Sequence, residues 1–239
     1  IAGLALAAGS ANAAVIATLT SEAVNGSPHI GTIQATVGDL LETVGSVAGQ
    51  SNAVPTQHVT ASLFNGKIST GVNNGGNLGD PDAPNAAGYY GSGHFIEFDL
   101  DTTTNTLGYD ISAINIIQRG DGFRPGINVA ISVRPVGGSY TSLINPPDAG
   151  TAYNVNMYSI TDDSGPFVAT GIDRIRFDFT NTTGTISGWT WYRELDVVGV
   201  PTGSDPRITS FTGIGGGVCE LKLLGNPGTG YEFRSSPIL

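Results

Sequence analysis

Disulfide chemistry is the first thing this chain lacks. Cys219 is its only cysteine among 239 residues, so no intrachain disulfide can form and any staple across the fold must be of another kind. Charge is also scarce, at 13% of residues, and positive charge scarcer still: 10 Lys and Arg stand against 20 Asp and Glu, for a formal net charge of −10. A chain so poor in cations cannot neutralise phosphates, which excludes nucleic acid and anionic membrane surfaces as partners. It is compatible with neutral ligands such as sugars, and with calcium. The three histidines, His29, His58 and His94, show no paired metal spacing of the H-E-x-x-H kind. Gly91-Ser92-Gly93 is not a nucleophile elbow, and neither a P-loop nor a dinucleotide fingerprint is present. Cys219 has no histidine near it in the chain, which argues against a thiol nucleophile. The acidic pairs, Asp80 with Asp82 and Asp162 with Asp163, read as surface turns. The sequence therefore predicts a protein that is not an enzyme, with a divergent glycoside-acting hydrolase as the least favoured alternative.

Glycine is abundant, at 35 residues, and the apolar residues fall in short alternating runs. Ile1 to Ala8 is apolar, and Ala11-Asn12-Ala13 is an A-x-A cleavage signature. Residues 1–13 thus read as part of a secretory signal peptide, too short to span a bilayer, and predict a secreted, extracellular or cell-surface chain. From there the pattern is all-β. Strands are predicted over Val15–Leu19, His94–Leu100, Ile111–Gln118, Ile127–Val133, Asp173–Phe179 and Trp191–Val200. Their period-two alternation buries one face and wets the other, which makes a two-sheet sandwich. Val37–Val44 is the best helix candidate, with Asp39 placed to cap it. Asn65 to Gly93, rich in Gly and Asn, reads as a long loop or a series of turns. Residues 14–200 form the predicted sandwich and 201–206 (PTGSDP) a linker. In 207–239, strand signals at Arg207–Phe211, Val218–Leu224 and Tyr231–Arg234 predict the first strands of a second β domain, docking onto the first domain being the alternative.

Five segments in order carry a family resemblance. Asn65-Gly66-Lys67 with Thr70 resembles a "DG-x-x-x-T" turn, and His94–Leu100 a "G-x-x-I-x-F-D-L" strand. Tyr109-Asp110-Ile111-Ser112-Ala113-Ile114 matches "Y-D-I-S-A-I". Arg119 to Arg124 with Asn128 to Val133 resembles the next loop and strand, and Arg193 to Gly199 the closing "R-E-L-E-V-x-G". Together these resemble the discoidin domain, the coagulation-factor 5/8 type C or galactose-binding-like module, over roughly Leu63 to Gly199. The resemblance implies an eight-stranded jelly-roll-like sandwich that binds, through loops clustered at one end, glycans, lipid headgroups or proteins.

It also implies a structural calcium ion, carried over here onto Asn65, Thr70 and Glu194. Such oxygen donors suit calcium, although Asn65 stands where the family has Asp and so withholds a charge. At the loop end, Tyr89, Tyr90, His94, Arg124 and Trp189 are the candidate ligand-binding residues, aromatic platforms and polar groups of the kind sugars need; packing at the sandwich edges is the plain alternative for the aromatics. The expected partner is a glycan or a cell-surface or matrix component. A structural or adhesive domain without a small ligand is the second reading. The Arg119-Gly120-Asp121 tripeptide is read as coincidence.

Overall fold

The structure is a computed structural model that describes residues 14–23, 31–51, 63, 64, 66, 68, 87–90, 94–119, 127–147, 154–179, 189–203, 207–215 and 218–224. It is an antiparallel β-sandwich, with one short helix among the described residues. The strands are β1 (Val15–Ala23), β2 (Gly45–Gln50), β3 (Ala87–Tyr90), β4 (His94–Leu100), β5 (Tyr109–Arg119), β6 (Val129–Pro135), β7 (Thr141–Ile144), β8 (Asn154–Asp162), β9 (Ala169–Phe179) and β10 (Trp189–Pro201). Helix α1 spans Leu40–Thr43. One layer runs β1-β8-β5-β10-β3 and the other β2-β4-β9-β6-β7. They are joined where β5 meets β9 through Tyr109↔Ile172 and Ile111↔Ala169. The main sheet thus has ten strands, two more than the discoidin resemblance implies.

Alternation explains the core. In β4, Ile96, Phe98 and Leu100 point inward; in β9, Ile175, Phe177 and Phe179 do; in β6, Val129, Ile131 and Val133 do. They meet Ile114 and Ile116 of β5, Tyr158 and Ile160 of β8, and Leu195 and Val197 of β10. Phe98 receives Phe64 edge-on at 5.1 Å and Phe177 edge-on at 6.2 Å. Burying each such ring contributes about 2–3 kcal/mol. Across the layers, Phe179 lies 4.6 Å from Tyr192, which keeps its core position because a bulge between Tyr192 and Glu194 resets the alternation.

The outer face of the β4-β9-β6 layer is charged. Arg174 pairs with Asp99 and Glu97, Arg134 with Asp173, and Arg176 with Asp178 while its guanidinium lies 4.0 Å from the Phe95 ring centroid. At the far end, Tyr109 donates to the Asp101 carbonyl, Thr202 Oγ1 donates to Asp110, and the Thr202 N–H reaches the Gly108 carbonyl. Strand β10 ends at Pro201, and these bonds hold Thr202 to that end of the sandwich. Strands β11 (Arg207–Gly215) and β12 (Val218–Leu224) pair into a separate two-stranded sheet.

A candidate metal centre and a candidate loop-end site

Two places gather chemistry. The first begins with α1. Gly38, at φ 76°, turns the chain, and Asp39 caps the helix in extended backbone, its Oδ1 accepting the Leu41 N–H at 2.6 Å. Glu42 reaches back to accept the Gly38 N–H. Leu40 and Leu41 are buried in the core. The helix thereby sits against β10, β2 and β4 and carries Asp39 to the closing strand, where Val197 N–H also donates to Asp39 Oδ1 at 3.3 Å.

Alternation along β10 sends Leu195 and Val197 into the core and Glu194 and Asp196 to the opposite face. That face is covered. Asp39 is 3% exposed, and Glu194 and Asp196 are both 0% exposed. Oxygens of Asp39, Glu194 and Asp196, one from each, all lie within 4.8 Å of one another, so the three residues can hold a metal ion. Glu194 Oε1 accepts the Gly66 N–H at 2.9 Å, and Asp196 Oδ2 accepts the Thr36 N–H at 2.9 Å and the Asn115 amide at 3.5 Å. Asp39 Oδ2 and Asp196 Oδ1 are buried without a hydrogen-bond partner. Gly66 adopts φ 67°, and a Cβ there would stand 3.1 Å from the Glu42 carboxylate, so glycine suits this approach.

The electrostatics of the cluster are unfavourable as it stands. Burial pushes Asp196 up to about 6 from an ordinary 3.8, against the pull of the Thr36 N–H. Burial likewise raises Asp39, and the charges acting on these two groups, Glu42 on Asp39 and Asp39 on Asp196, are negative. Two ionised carboxylates at such separations repel by roughly 3 kcal/mol at an effective dielectric constant of about 20. A buried oxygen left without a partner costs about 1–3 kcal/mol more. A bound cation would relieve both penalties.

Of the three residues the sequence assigned to calcium, Glu194 is in this cluster, while Asn65 and Thr70 lie outside the described residues. The turn reaches Glu194 through Gly66, next to Asn65 in the chain. Asp39, read from sequence as a helix cap, and Asp196, read as part of a strand motif, were not assigned to a site. The acidic pair Asp80 and Asp82 lies outside the described residues.

The second place is the end of the sandwich where β2, β3 and β5 finish and β4, β6 and β10 begin. His94 opens β4 opposite Phe179 of β9, which also pairs with Val129 of β6. Ser51, following β2, accepts the Phe95 N–H at 2.8 Å and lies 3.3 Å from His94 Nδ1. Tyr192 Oη accepts the Asn128 N–H at 3.3 Å and ties β10 to the start of β6. Edge strand β3 pairs with the first residues of β10 in the register Trp189↔Tyr90, Thr190↔Tyr89, Trp191↔Gly88 and Tyr192↔Ala87. Tyr192 belongs to the core. Tyr89, Tyr90, Trp189 and His94 thus stand in strands that meet at one end of the sandwich. Arg124 lies outside the described residues, between β5 and β6. Trp191 was not among the sequence candidates; its i, i+2 spacing from Trp189 in a strand was the available signal.

Fold and sites together define an antiparallel β-sandwich with a buried three-carboxylate cluster and, at one end, the paired strands β3 and β10. No family model matches the chain, and no curated protein matches it. Among solved structures it is similar to carbohydrate-binding modules of the CBM32 kind. One is the CBM32 of AlyQ in complex with 4,5-unsaturated mannuronic acid, at 16% identity over 69% of this chain and 97% of that one, with a TM-score of 0.40. Another is CpGH89CBM32-6 produced by Clostridium perfringens, at 17% identity over 68% of this chain and 99% of that one, with a TM-score of 0.43. A third is the C-terminal domain of a chitobiase from Bacteroides fragilis, at 17% identity over 68% and 97%, with a TM-score of 0.43. No helix among the described residues is long and apolar enough to cross a membrane.

Proposed function

We propose that this chain is a secreted, non-catalytic module that binds carbohydrate at the β3–β10 end of the sandwich and is stiffened by a structural calcium ion. The observation that carries the binding reading is the β3–β10 register, which sets Tyr90 opposite Trp189 at this end of the sandwich. Sugar rings present an apolar face to aromatic platforms and their hydroxyls to polar groups. His94, held beside Ser51 at the same end, offers such a polar group. With a net charge of −10, neutral glycans come before acidic polysaccharides, which the chain would repel. The discoidin-like sequence motifs support the same reading. The non-catalytic part rests on the lack of a nucleophile motif or histidine metal motif in the sequence. The calcium part rests on the buried oxygens of the Asp39–Glu194–Asp196 cluster.

Retention of the chain in native gels containing single polysaccharides, neutral and acidic, tests the binding reading. Wild type is expected to be retarded by at least one neutral glycan, and Trp189→Ala and Tyr90→Ala to lose that retardation while melting within about 2 °C of wild type. Unaltered retardation in both variants, or no retardation of wild type on any glycan, would overturn the reading. Collapse of the melting transition in both would assign these aromatics to packing instead.

A further inference from the structure

We infer that the chain is cut between Ala13 and Ala14, and that the α-ammonium so created docks on the Asp163 carboxylate and pins the free end of edge strand β1. The inference rests on the secreted part of the reading above and deepens it. It names the bond that is broken and the residue that receives the new terminus.

Two independent observations meet at Ala14. In the sequence, Ala11-Asn12-Ala13 places small residues at the first and third positions before the cut, the pattern an export peptidase accepts. In the structure, the nitrogen on the other side of that bond is held: the Ala14 N–H donates to Asp163 Oδ1 at 3.1 Å, and the Asp163 N–H donates back to the Ala14 carbonyl at 3.2 Å. Strand β1 starts one residue later, at Val15. Ala14 and Asp163 are both exposed, so a charge created there stays hydrated.

The partner suits a cation. Val15 pairs with Asp162 in the β1–β8 ladder, so Ala14 stands at the next position, opposite Asp163. A peptide N–H in a ladder needs only a backbone carbonyl. Here it meets a carboxylate, and among the described residues no Lys or Arg pairs with that carboxylate. The acids on the outer face of the β4-β9-β6 layer each have an arginine. Hydrolysis supplies a cation to Asp163. Water adds to the Ala13 carbonyl carbon, the C–N bond breaks, residues 1–13 leave with the carboxylate, and the Ala14 nitrogen takes up a proton. One neutral donor becomes an ammonium with three, and hydrogen bonds between charged groups are the stronger kind.

The turn after β8 sets Asp163 in place. Asp162 Oδ1 accepts the Ser164 N–H at 2.8 Å and the Gly165 N–H at 2.6 Å, an Asx turn. The Ser164 N–H holds the Asp162 carboxyl below its ordinary range, so a second negative charge adjoins the first in the chain. The other end of β1 is fastened by the same device: Glu22 accepts the N–H groups of Thr32 and Ile33 at 2.8 and 2.7 Å. Between these two points β1 pairs, among the described residues, with β8 alone, and it brings Val15 and Ala17 to the core. A strand paired on one side frays from its free end, and the Asp163 pair sits at that end.

The test starts from the full chain, with Met-Lys-Lys placed before Ile1 to give the basic start an export signal needs, expressed in a bacterium. N-terminal sequencing of the exported protein is expected to read Ala-Val-Ile-Ala-Thr. Export with a cut at another bond, or with none, would overturn the inference and leave secretion standing; retention inside the cell would overturn both. The processed protein then tests the docking. Its α-amine is acetylated near neutral pH, Lys67 and Lys222 being the only lysines that compete. Acetylation removes the charge and keeps an N–H. Hydrogen exchange at the Val15 end of β1 is expected to quicken about two- to fivefold, the size an exposed ion pair supports, and by less in 1 M NaCl, with the Glu22 end unchanged. Asp163→Asn, which keeps an acceptor without the charge, should exchange as the acetylated wild type does, and acetylating it should add nothing. No change on acetylating wild type, or an equal change in Asp163→Asn, would overturn the docking while the cut and secretion stand.

Discussion

Phe64 and Phe98 give the sharpest energetic test of how the core serves the site. Phe98 is fully buried at the centre of β4, and Phe64 meets it edge-on at 5.1 Å with an interplanar angle of 82°. Phe64 is only partly buried, and it directly precedes the turn whose Gly66 N–H reaches Glu194. Truncating Phe98 to Ala should cost about 3–5 kcal/mol, the usual range for a buried ring. Phe64→Ala should cost roughly half as much, because part of its ring is already wet. The two losses are not independent. A favourable edge-to-face pair is worth about 0.5–1.5 kcal/mol beyond area burial. The double variant should therefore be more stable than additivity predicts by about that amount. Urea unfolding at saturating calcium, with equal m-values across the four proteins, measures the cycle. Additivity within about 0.3 kcal/mol would refute the reasoning, because the ring pair would then not anchor the turn. A cycle on Phe98 and Phe177, 6.2 Å apart, serves as a second reading of ring coupling in the same core.

Three further outcomes are expected. Gly108→Ala should destabilise by about 1–3 kcal/mol in the same unfolding assay, because Gly108 adopts φ 80° and its Cβ would stand 2.7 Å from the Ile172 carbonyl oxygen; a shift below about 0.5 kcal/mol would mean that the β5–β9 corner yields. Arg174→Met should change stability by less than about 1 kcal/mol, since its partners Glu97 and Asp99 lie on a partly exposed face, and the difference should shrink in 1 M NaCl. Removing calcium should lower the melting temperature of wild type, because an ion that binds only the folded state stabilises it, by about 2.7 kcal/mol at a hundredfold excess over Kd; an equal drop in Glu194→Gln would show that the drop does not come through this carboxylate.

The strands with clean alternation were legible in the sequence. His94–Leu100 and Val218–Leu224 have the predicted bounds, and β5, β6, β9 and β10 overlap theirs. Strand β8 was not read, because Val155 and Asn156 are consecutive and both buried, which breaks the period of two. Asn156 is tolerated there because its amide donates to Gln118 at 2.8 Å and its carbonyl accepts from Ser21 at 2.6 Å. Strand β3 is short and Gly-containing and is defined by its pairing with β10, a relation its own residues do not announce. The helix predicted over 37–44 is shorter, Leu40–Thr43, because Gly38 takes a left-handed turn and Asp39 caps at once.

The metal centre shows the same limit in a stronger form. Glu194 was found through its place in a recurring strand motif, and Asp39 through its place before a helix, and both local readings describe what those residues do in their own elements. Their meeting is a tertiary event: Asp39 and Val197 bond across 158 positions of sequence, through the path of a strap that carries no motif. A motif tells where a carboxylate points relative to its strand, not what the rest of the chain brings to it. Burial makes the charged forms of Asp39 and Asp196 costly, and the charges that shift them are themselves negative. In a chain that cannot form a disulfide, that same difficulty gives the cluster a use. A cation bound there would remove the repulsion and tie the segment that carries Asp39 to β10, so the proposed calcium would bear on the stability of that segment.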